Sequence, residues 1–274
     1  MKRTKLTLTS CLVICLLLLS ACTQMGQPAP LEADTPLDLE SQASTTVKKL
    51  ASPSTVGPND TFGSALAVSG NFMVIGAPND LTMNSSNGLY KRGAAYLYQS
   101  DTAGKWTFVK RLIASDGITQ DYFGNAVAIS GDTVVVGAYG KRIDVNNDGV
   151  TEGKVGAAYI FQRNQGGTDK WGQVKKLVAS DREASDYFAS SVAIAGDFVM
   201  VGAPYEDHDI NGDGTVNAVT ERDAGAVYIF QRNRGGTNVW GQLKKLTASD
   251  HAGGDYFGNA VALSGNTLVV GAYW

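Results

Sequence analysis

The chain has 274 residues, 18% of them charged and 43% hydrophobic, with 23 basic and 26 acidic side chains and a net charge of −3. That balance excludes a nucleic-acid binder, which needs a basic footprint. The three cysteines, Cys11, Cys15 and Cys22, all lie near the N-terminus, so the rest of the chain has neither a disulfide framework nor a thiolate site.

Residues 1–21 read as a targeting segment. Lys2, Arg3 and Lys5 form a basic start, and an apolar stretch runs from Leu12 to Leu19, broken only by Cys15. It is shorter than the roughly 20 apolar residues that span a bilayer as a helix. Leu19-Ser20-Ala21-Cys22 follows. This resembles the lipobox of bacterial lipoproteins, which implies lipidation of Cys22 and an exported chain anchored to the membrane of the cell envelope. Loss of the leader with its three basic residues leaves 20 basic against 26 acidic side chains, a net charge of −6. That charge is compatible with cation binding.

Residues 22–46 are polar, carry Pro28, Pro30 and Pro36, and show no sustained apolar period. They read as a flexible tether with an r.m.s. span of about 25–30 Å. The remainder, 47–274, is repetitive. Asp121-Tyr122-Phe123-Gly124 recurs as Asp186-Tyr187-Phe188-Ala189 and Asp255-Tyr256-Phe257-Gly258, with a looser copy at Asp60-Thr61-Phe62-Gly63. Each copy leads into an apolar run, a tight Gly turn, a second apolar run and a Gly-Ala-Pro or Gly-Ala-Tyr triplet, starting at Gly76, Gly137, Gly202 and Gly271. Gly-Ala-x-Tyr segments follow at Gly93, Gly156 and Gly225, then Trp-led segments at Trp106, Trp171 and Trp240.

Each unit reads as four strands rich in β-branched and aromatic residues, separated by Gly, Asn and Asp turns. In the second unit they fall near 126–130, 133–136, 157–162 and 171–178. The second strand is continuously apolar, as in Val134-Val135-Val136 and Phe198-Val199-Met200-Val201. A sheet with one wet face alternates, so this run predicts cover on both faces. The fourth strand is more mixed. The expected fold is all-β: β-propeller blades of four antiparallel strands, at 60–116, 121–181, 186–250 and, in part, 255–274.

The order Phe-Gly, then Gly-Ala-Pro, resembles FG-GAP repeats, which build the propeller of integrin α subunits and occur in many bacterial surface proteins. Ala189 departs from the pattern, as do Tyr139 and Tyr273 at the ends of two triplets. Val47-Lys48-Lys49-Leu50-Ala51-Ser52 matches the fourth strand of later units, so it is expected to be an outer strand without a blade of its own. The count is about 3.5 blades, and relatives commonly have seven. The chain is therefore expected to be part of a larger propeller; closure by oligomerisation or a small ring are the alternatives.

Two loops between second and third strands carry oxygen ligands at alternate positions with a glycine turn, the pattern of a Ca²⁺ loop. One offers Asp144, Asn146, Asp148, the Val150 carbonyl and Glu152; the other Asp209, Asn211, Asp213, the Thr215 carbonyl and Asn217. Neither has the bidentate Glu of a full EF-hand, since Val155 and Thr220 stand at the twelfth positions. Asp121, Asp186 and Asp255 are read as turn caps, His208 and His251 as surface loop residues, and Lys175-Lys176 and Lys244-Lys245 as solvated edge charges. No H-E-x-x-H, G-x-S-x-G or P-loop pattern is present, nor a set of His, carboxylate and nucleophile. The expectation is a binding or adhesion module that recognises a protein or glycan on its loop-rich face, not an enzyme. A fragment of a larger propeller enzyme and a purely structural envelope protein are the alternatives.

Overall fold

A computed structural model of the chain describes residues 50, 53, 59–83, 89–208 and 221–273. The leader, Cys22, the tether, all of 47–52 but Leu50, and the second candidate cation loop lie outside the described residues. Every strand belongs to one compact unit, Ser52–Trp274.

The tight Gly turns and β-rich runs produce antiparallel meanders. The first sheet is β1 (Leu66–Ser69), β2 (Phe72–Ala77), β5 (Ala94–Ser100) and β6 (Trp106–Leu112), with a small hairpin, β3 (Leu81–Met83) and β4 (Leu89–Lys91), inserted between β2 and β5. The second is β7 (Val127–Ser130), β8 (Thr133–Ala138), β9 (Ala157–Gln162) and β10 (Gly172–Leu177). The third is β11 (Ser191–Ala195), β12 (Phe198–Ala203), β13 (Ala226–Gln231) and β14 (Gly241–Leu246). A two-stranded sheet, β15 (Ala260–Ser264) and β16 (Thr267–Gly271), comes last. Among the described residues there is no helix. These are propeller blades, and the first strands β1, β7, β11 and β15 lie side by side in turn.

The apolar second strands are explained by what lies on each side of them. Val134 and Val136 pack with Phe72, Val74 and Leu97 of the first sheet, while Val135 turns to Val192, Val199 and Val201 of the third. Met200 faces the opposite way from Val199, towards Val261, Leu263, Leu268 and Val270 of the last sheet. Both faces of each middle blade are therefore core, each fully buried Val contributing about 1.5–3 kcal/mol. In the three four-stranded blades the Phe of the repeat packs on the third strand of its own blade: Phe123 meets Tyr159 at 5.5 Å, Phe188 meets Tyr228 at 5.5 Å, and Phe62 meets Tyr96 at 5.5 Å.

The recurring glycines sit at blade junctions. Gly93, Gly156 and Gly225 each form an isolated parallel bridge to the Phe of the next unit: Phe123, Phe188 and Phe257. The Gly after that Phe donates its N–H to the triplet Gly of the same blade, as Gly124 does to Gly137 at 2.8 Å. The triplet Gly in turn abuts the next unit's backbone: a Cβ on Gly76 would overlap the Gly124 carbonyl, and one on Gly202 that of Gly258. Ala189 takes the left-handed conformation of these glycines, at φ 69°.

Candidate binding face

In a meander, the start of the first strand and the end of the second share one end of the sheet. The long connections 139–156 and 204–225 leave from that same end. It is also where the unpaired backbone lies, so polar side chains must satisfy it. The repeated aspartates do so: Asp121 accepts from Ile118 N at 2.8 Å, Asp186 from Glu183 N at 2.6 Å and Asp255 from Ala252 N at 2.6 Å.

Beneath the loops, each full blade holds a buried polar cluster at corresponding positions. In the first, Asp80 pairs with Arg111 and accepts from the Tyr96 hydroxyl. In the second, buried Lys141 stands where Asp80 did and pairs with Asp121 at 3.0 Å, while Asp116 accepts from Tyr159 at 2.7 Å and pairs with Lys176 at 2.9 Å. Burial pushes Asp116 up, but the hydrogen bonds from Lys176 and Tyr159 prevail and hold it at about 2. In the third, Glu206 occupies the position, and Lys245 bridges it to Asp181. Burial raises both Glu206 and Asp186 to about 7, the field of Glu206 adding to the effect on Asp186. Both are buried, at 5% and 4% exposure. Lys176 and Lys245 are thus partners in these clusters, not the solvated edge charges expected; only Lys175 and Lys244 are exposed. The outward-facing lysine alternates with the inward one because the strand does.

Above the clusters runs a row of six tyrosines. Tyr122 stacks on Tyr139 at 5.0 Å, Tyr139 on Tyr187 at 5.6 Å, and Tyr187 meets Tyr205 at 4.5 Å. Tyr205 meets Tyr256 at 5.0 Å, and Tyr256 stacks on Tyr273 at 5.0 Å. Tyr122, Tyr187 and Tyr256 come from the Asp-Tyr-Phe motif; Tyr139, Tyr205 and Tyr273 follow the second strands. The row therefore crosses two blade junctions on the loop-bearing end. Burial raises Tyr139, with its neighbours Tyr122 and Tyr187 adding. Lys154 Nζ lies 4.9 Å from the Tyr187 ring centroid and 2.6 Å from its hydroxyl.

The first candidate cation loop is closed by its own hydrogen bonds. Ile143 and Glu152 form an antiparallel bridge, and Glu152 accepts from Val145 N at 2.9 Å. Asp144 accepts from Asp148 N at 3.2 Å and Gly149 N at 2.9 Å, Asn146 from Asp148 N at 3.2 Å, and Asp148 from Val150 N at 2.8 Å. The four side chains thus share one turn, and a carboxylate keeps acceptor capacity after one such bond. The Val150 carbonyl belongs to the same turn. Yet among the described residues no three His, Cys, Asp or Glu gather closely enough to hold a metal ion. The donor set fits Ca²⁺ by chemistry; convergence on an ion requires the side chains to exchange backbone N–H partners for it. Asp209, Asn211, Asp213, Thr215 and Asn217 lie outside the described residues, as does Cys22. His208 and His251, read separately as loop residues, meet at 5.0 Å.

Among curated proteins nothing matches the chain. Among solved structures, the computationally designed Ika4 protein is similar at 15% identity and a TM-score of 0.41, over 80% of this chain and 89% of that one. The family model for the FG-GAP repeat matches residues 45–98, 106–161, 171–230 and 240–274. The matches at 106, 171 and 240 start at the outer strand of one blade and run on into the next, so the sequence repeat is offset by one strand from the blade. With these four matches spanning most of its length, the chain belongs to the FG-GAP repeat family.

Proposed function

We propose that this chain is a binding module of the bacterial cell envelope, exported and anchored by lipid on Cys22, that recognises a protein or glycan through the loop-bearing end of its blades. Ca²⁺ in the 144–152 and 209–217 loops stiffens that end. The module is not a catalyst. The observation that carries this reading is the tyrosine row. Aromatic rings supply large contact area at low entropic cost, and their hydroxyls give the polar handle that recognition surfaces use. The hydrogen-bonded ladders beneath need none of these six rings, so their accumulation on the end with long, variable loops fits a surface kept for contact.

The test is binding of the full chain to arrays of glycans and envelope or host-surface proteins, with Tyr139→Ala/Tyr187→Ala as the comparison. Loss of a captured ligand by about tenfold or more in that variant, at unchanged circular dichroism, is the expected result. Capture that is indifferent to both tyrosines overturns it. Anchoring is tested separately by labelling with a radioactive fatty acid, which Cys22→Ser must abolish.

A further inference from the structure

At the junction of the second and third blades, beside the tyrosine row, lies a cleft of about 370 Å³. Its walls include Gln120, Tyr122, Arg142, Lys154 and Ser185. We infer that this cleft binds an acidic sugar residue, its carboxylate held by Arg142 and Lys154. The inference rests on the binding-module reading above and names the class of ligand for one part of that face.

The cleft is pre-formed. Ser185 N donates to Gly153 O at 3.1 Å, Tyr187 N to Lys154 O at 3.0 Å, and Gly140 N to Asp121 O at 3.1 Å, so backbone bonds tie both blades into its walls. Gln120, Tyr122, Lys154 and Ser185 all hold left-handed backbone angles, at φ 68°, 54°, 59° and 71°. Its volume is at the small end of ligand pockets, which run from about 300 to 1,000 Å³, so it suits one ring and its substituents.

Its charge is local and unbalanced. Arg142 and Lys154 are both exposed, no acidic residue lines the cleft, and among the described residues neither cation is in an ion pair. This positive spot sits on a chain whose net charge is −3.

The repeat supplies an internal control. Counting from the triplet Gly, Arg142 corresponds to Leu81 in the first blade and Asp207 in the third. Counting from the Gly-Ala-x-Tyr glycine, Lys154 corresponds to Lys91 and Asp223. The same junction is thus built with Leu and Lys, Arg and Lys, or Asp and Asp. The blade architecture does not require two cations here, and the Lys154 ammonium, which donates one hydrogen bond to the Tyr187 hydroxyl, keeps two further donors for a ligand.

Guanidinium and carboxylate match in planar, bidentate geometry, whereas an ammonium acts as a point charge. The Gln120 amide, the Ser185 hydroxyl and the Tyr122 ring are the groups that recognise sugar hydroxyls and the apolar face of a ring. Inorganic phosphate or sulfate would satisfy the cations and leave those three without use.

The experiment is calorimetric titration of the full chain with oligogalacturonate, the neutral oligogalactose of equal length, and inorganic sulfate, at one ionic strength. Binding of the uronate and not of the other two is expected. Arg142→Gln and Lys154→Gln should each weaken it about tenfold to a hundredfold, and Arg142→Asp/Lys154→Asp should abolish it, with melting temperatures unchanged. Equal binding of the neutral oligosaccharide, or of sulfate, overturns the proposal, as does uronate binding that survives the aspartate pair. If a ligand from the arrays is lost in Tyr139→Ala/Tyr187→Ala but kept in the aspartate pair, the binding-face reading stands and the acidic-sugar assignment fails. If both variants keep every ligand, both readings fail.

Discussion

Gly156 and Phe188 belong to adjacent blades, yet a Cβ on Gly156 would overlap the Phe188 carbonyl oxygen and stand 2.6 Å from its nitrogen. The same relation joins Gly93 to Phe123 and Gly225 to Phe257. The Phe of each Phe-Gly motif and the glycine of the preceding unit's Gly-Ala-x-Tyr segment are therefore two halves of one inter-blade contact, and the contact is backbone on backbone. Gly156 has φ 89°, so Ala there meets both the left-handed penalty of about 1–2 kcal/mol and a collision that no rotamer relieves. Gly131, at φ 52°, has nothing within 4 Å of its missing Cβ. Gly156→Ala should cost about 3 kcal/mol or more, against about 1–2 kcal/mol for Gly131→Ala. Urea midpoints of the two variants decide it. Equal losses would mean that backbone angle alone, and not close approach, makes glycine necessary.

Lys141 is 4% exposed and pairs with Asp121, whose side chain is 1% exposed. Removing one partner of a buried pair strands the other charge, at about 3–5 kcal/mol. Lys141→Met should lose stability of that order, measured by urea unfolding. Adding Asp121→Asn should then recover part of the loss, because the stranded carboxylate is gone. A double variant no more stable than the single one would show that Asp121 is held chiefly by the Ile118 N–H.

The strands were legible because their cause is local. Val134-Val135-Val136 can be apolar throughout only if both faces are covered, and the structure covers them with different neighbours. The glycine positions were equally visible, though not their reason, since a clash between Gly156 and Phe188 arises only once two blades stack. The tyrosine row was hidden for the same cause. Tyr122 and Tyr139 are brought together by strand pairing, and Tyr139 and Tyr187 by stacking of blades, so neither contact leaves a short-range period. The one signal available was that Tyr recurs beside Phe in three motifs. Arg142 and Lys154 were passed over because single cations in loops carry no pattern; only alignment of the blades against each other sets them apart. The β3–β4 hairpin was missed because its strands are three residues each, too short to show alternation.

Removal of Ca²⁺ is the next test. In the 144–152 turn, Asn146, Asp148 and Glu152 each already accept one backbone N–H and Asp144 accepts two. An ion must therefore compete with those bonds, but it also relieves the mutual repulsion of three carboxylates. If it binds, Ca²⁺ at 100 Kd adds about 2.7 kcal/mol per site. The melting temperature should rise by several degrees with Ca²⁺ over chelator, and Asp144→Asn/Asp148→Asn should remove the share due to this loop. No shift in the wild-type chain refutes the Ca²⁺ assignment for both loops.

The third blade's buried acids set a dependence on pH. Glu206 and Asp186 share their surroundings with Asp181, Glu183, Asp207, Tyr228 and Lys245, and Lys245 is the single cation among them. Burial leads in holding both folded-state values near 7, whereas an unfolded chain releases these protons near 4. Between those values the folded state binds more protons than the unfolded one. Stability therefore falls as pH rises from about 4 to about 7, and the whole penalty persists above 7. Asp116 acts in the opposite sense, but its contribution is lost only as pH falls towards 2, below that window. The domain should melt at a higher temperature at pH 5.5 than at pH 8. Glu206→Gln should flatten that slope by removing one titrating group and its field on Asp186. In the second blade the corresponding residue is Lys141, which pairs with Asp121 and opposes the rise that burial gives that carboxyl, so Lys141→Met should steepen the fall of stability with pH, the opposite of the effect of Glu206→Gln. A slope that Glu206→Gln does not alter would place the titration elsewhere.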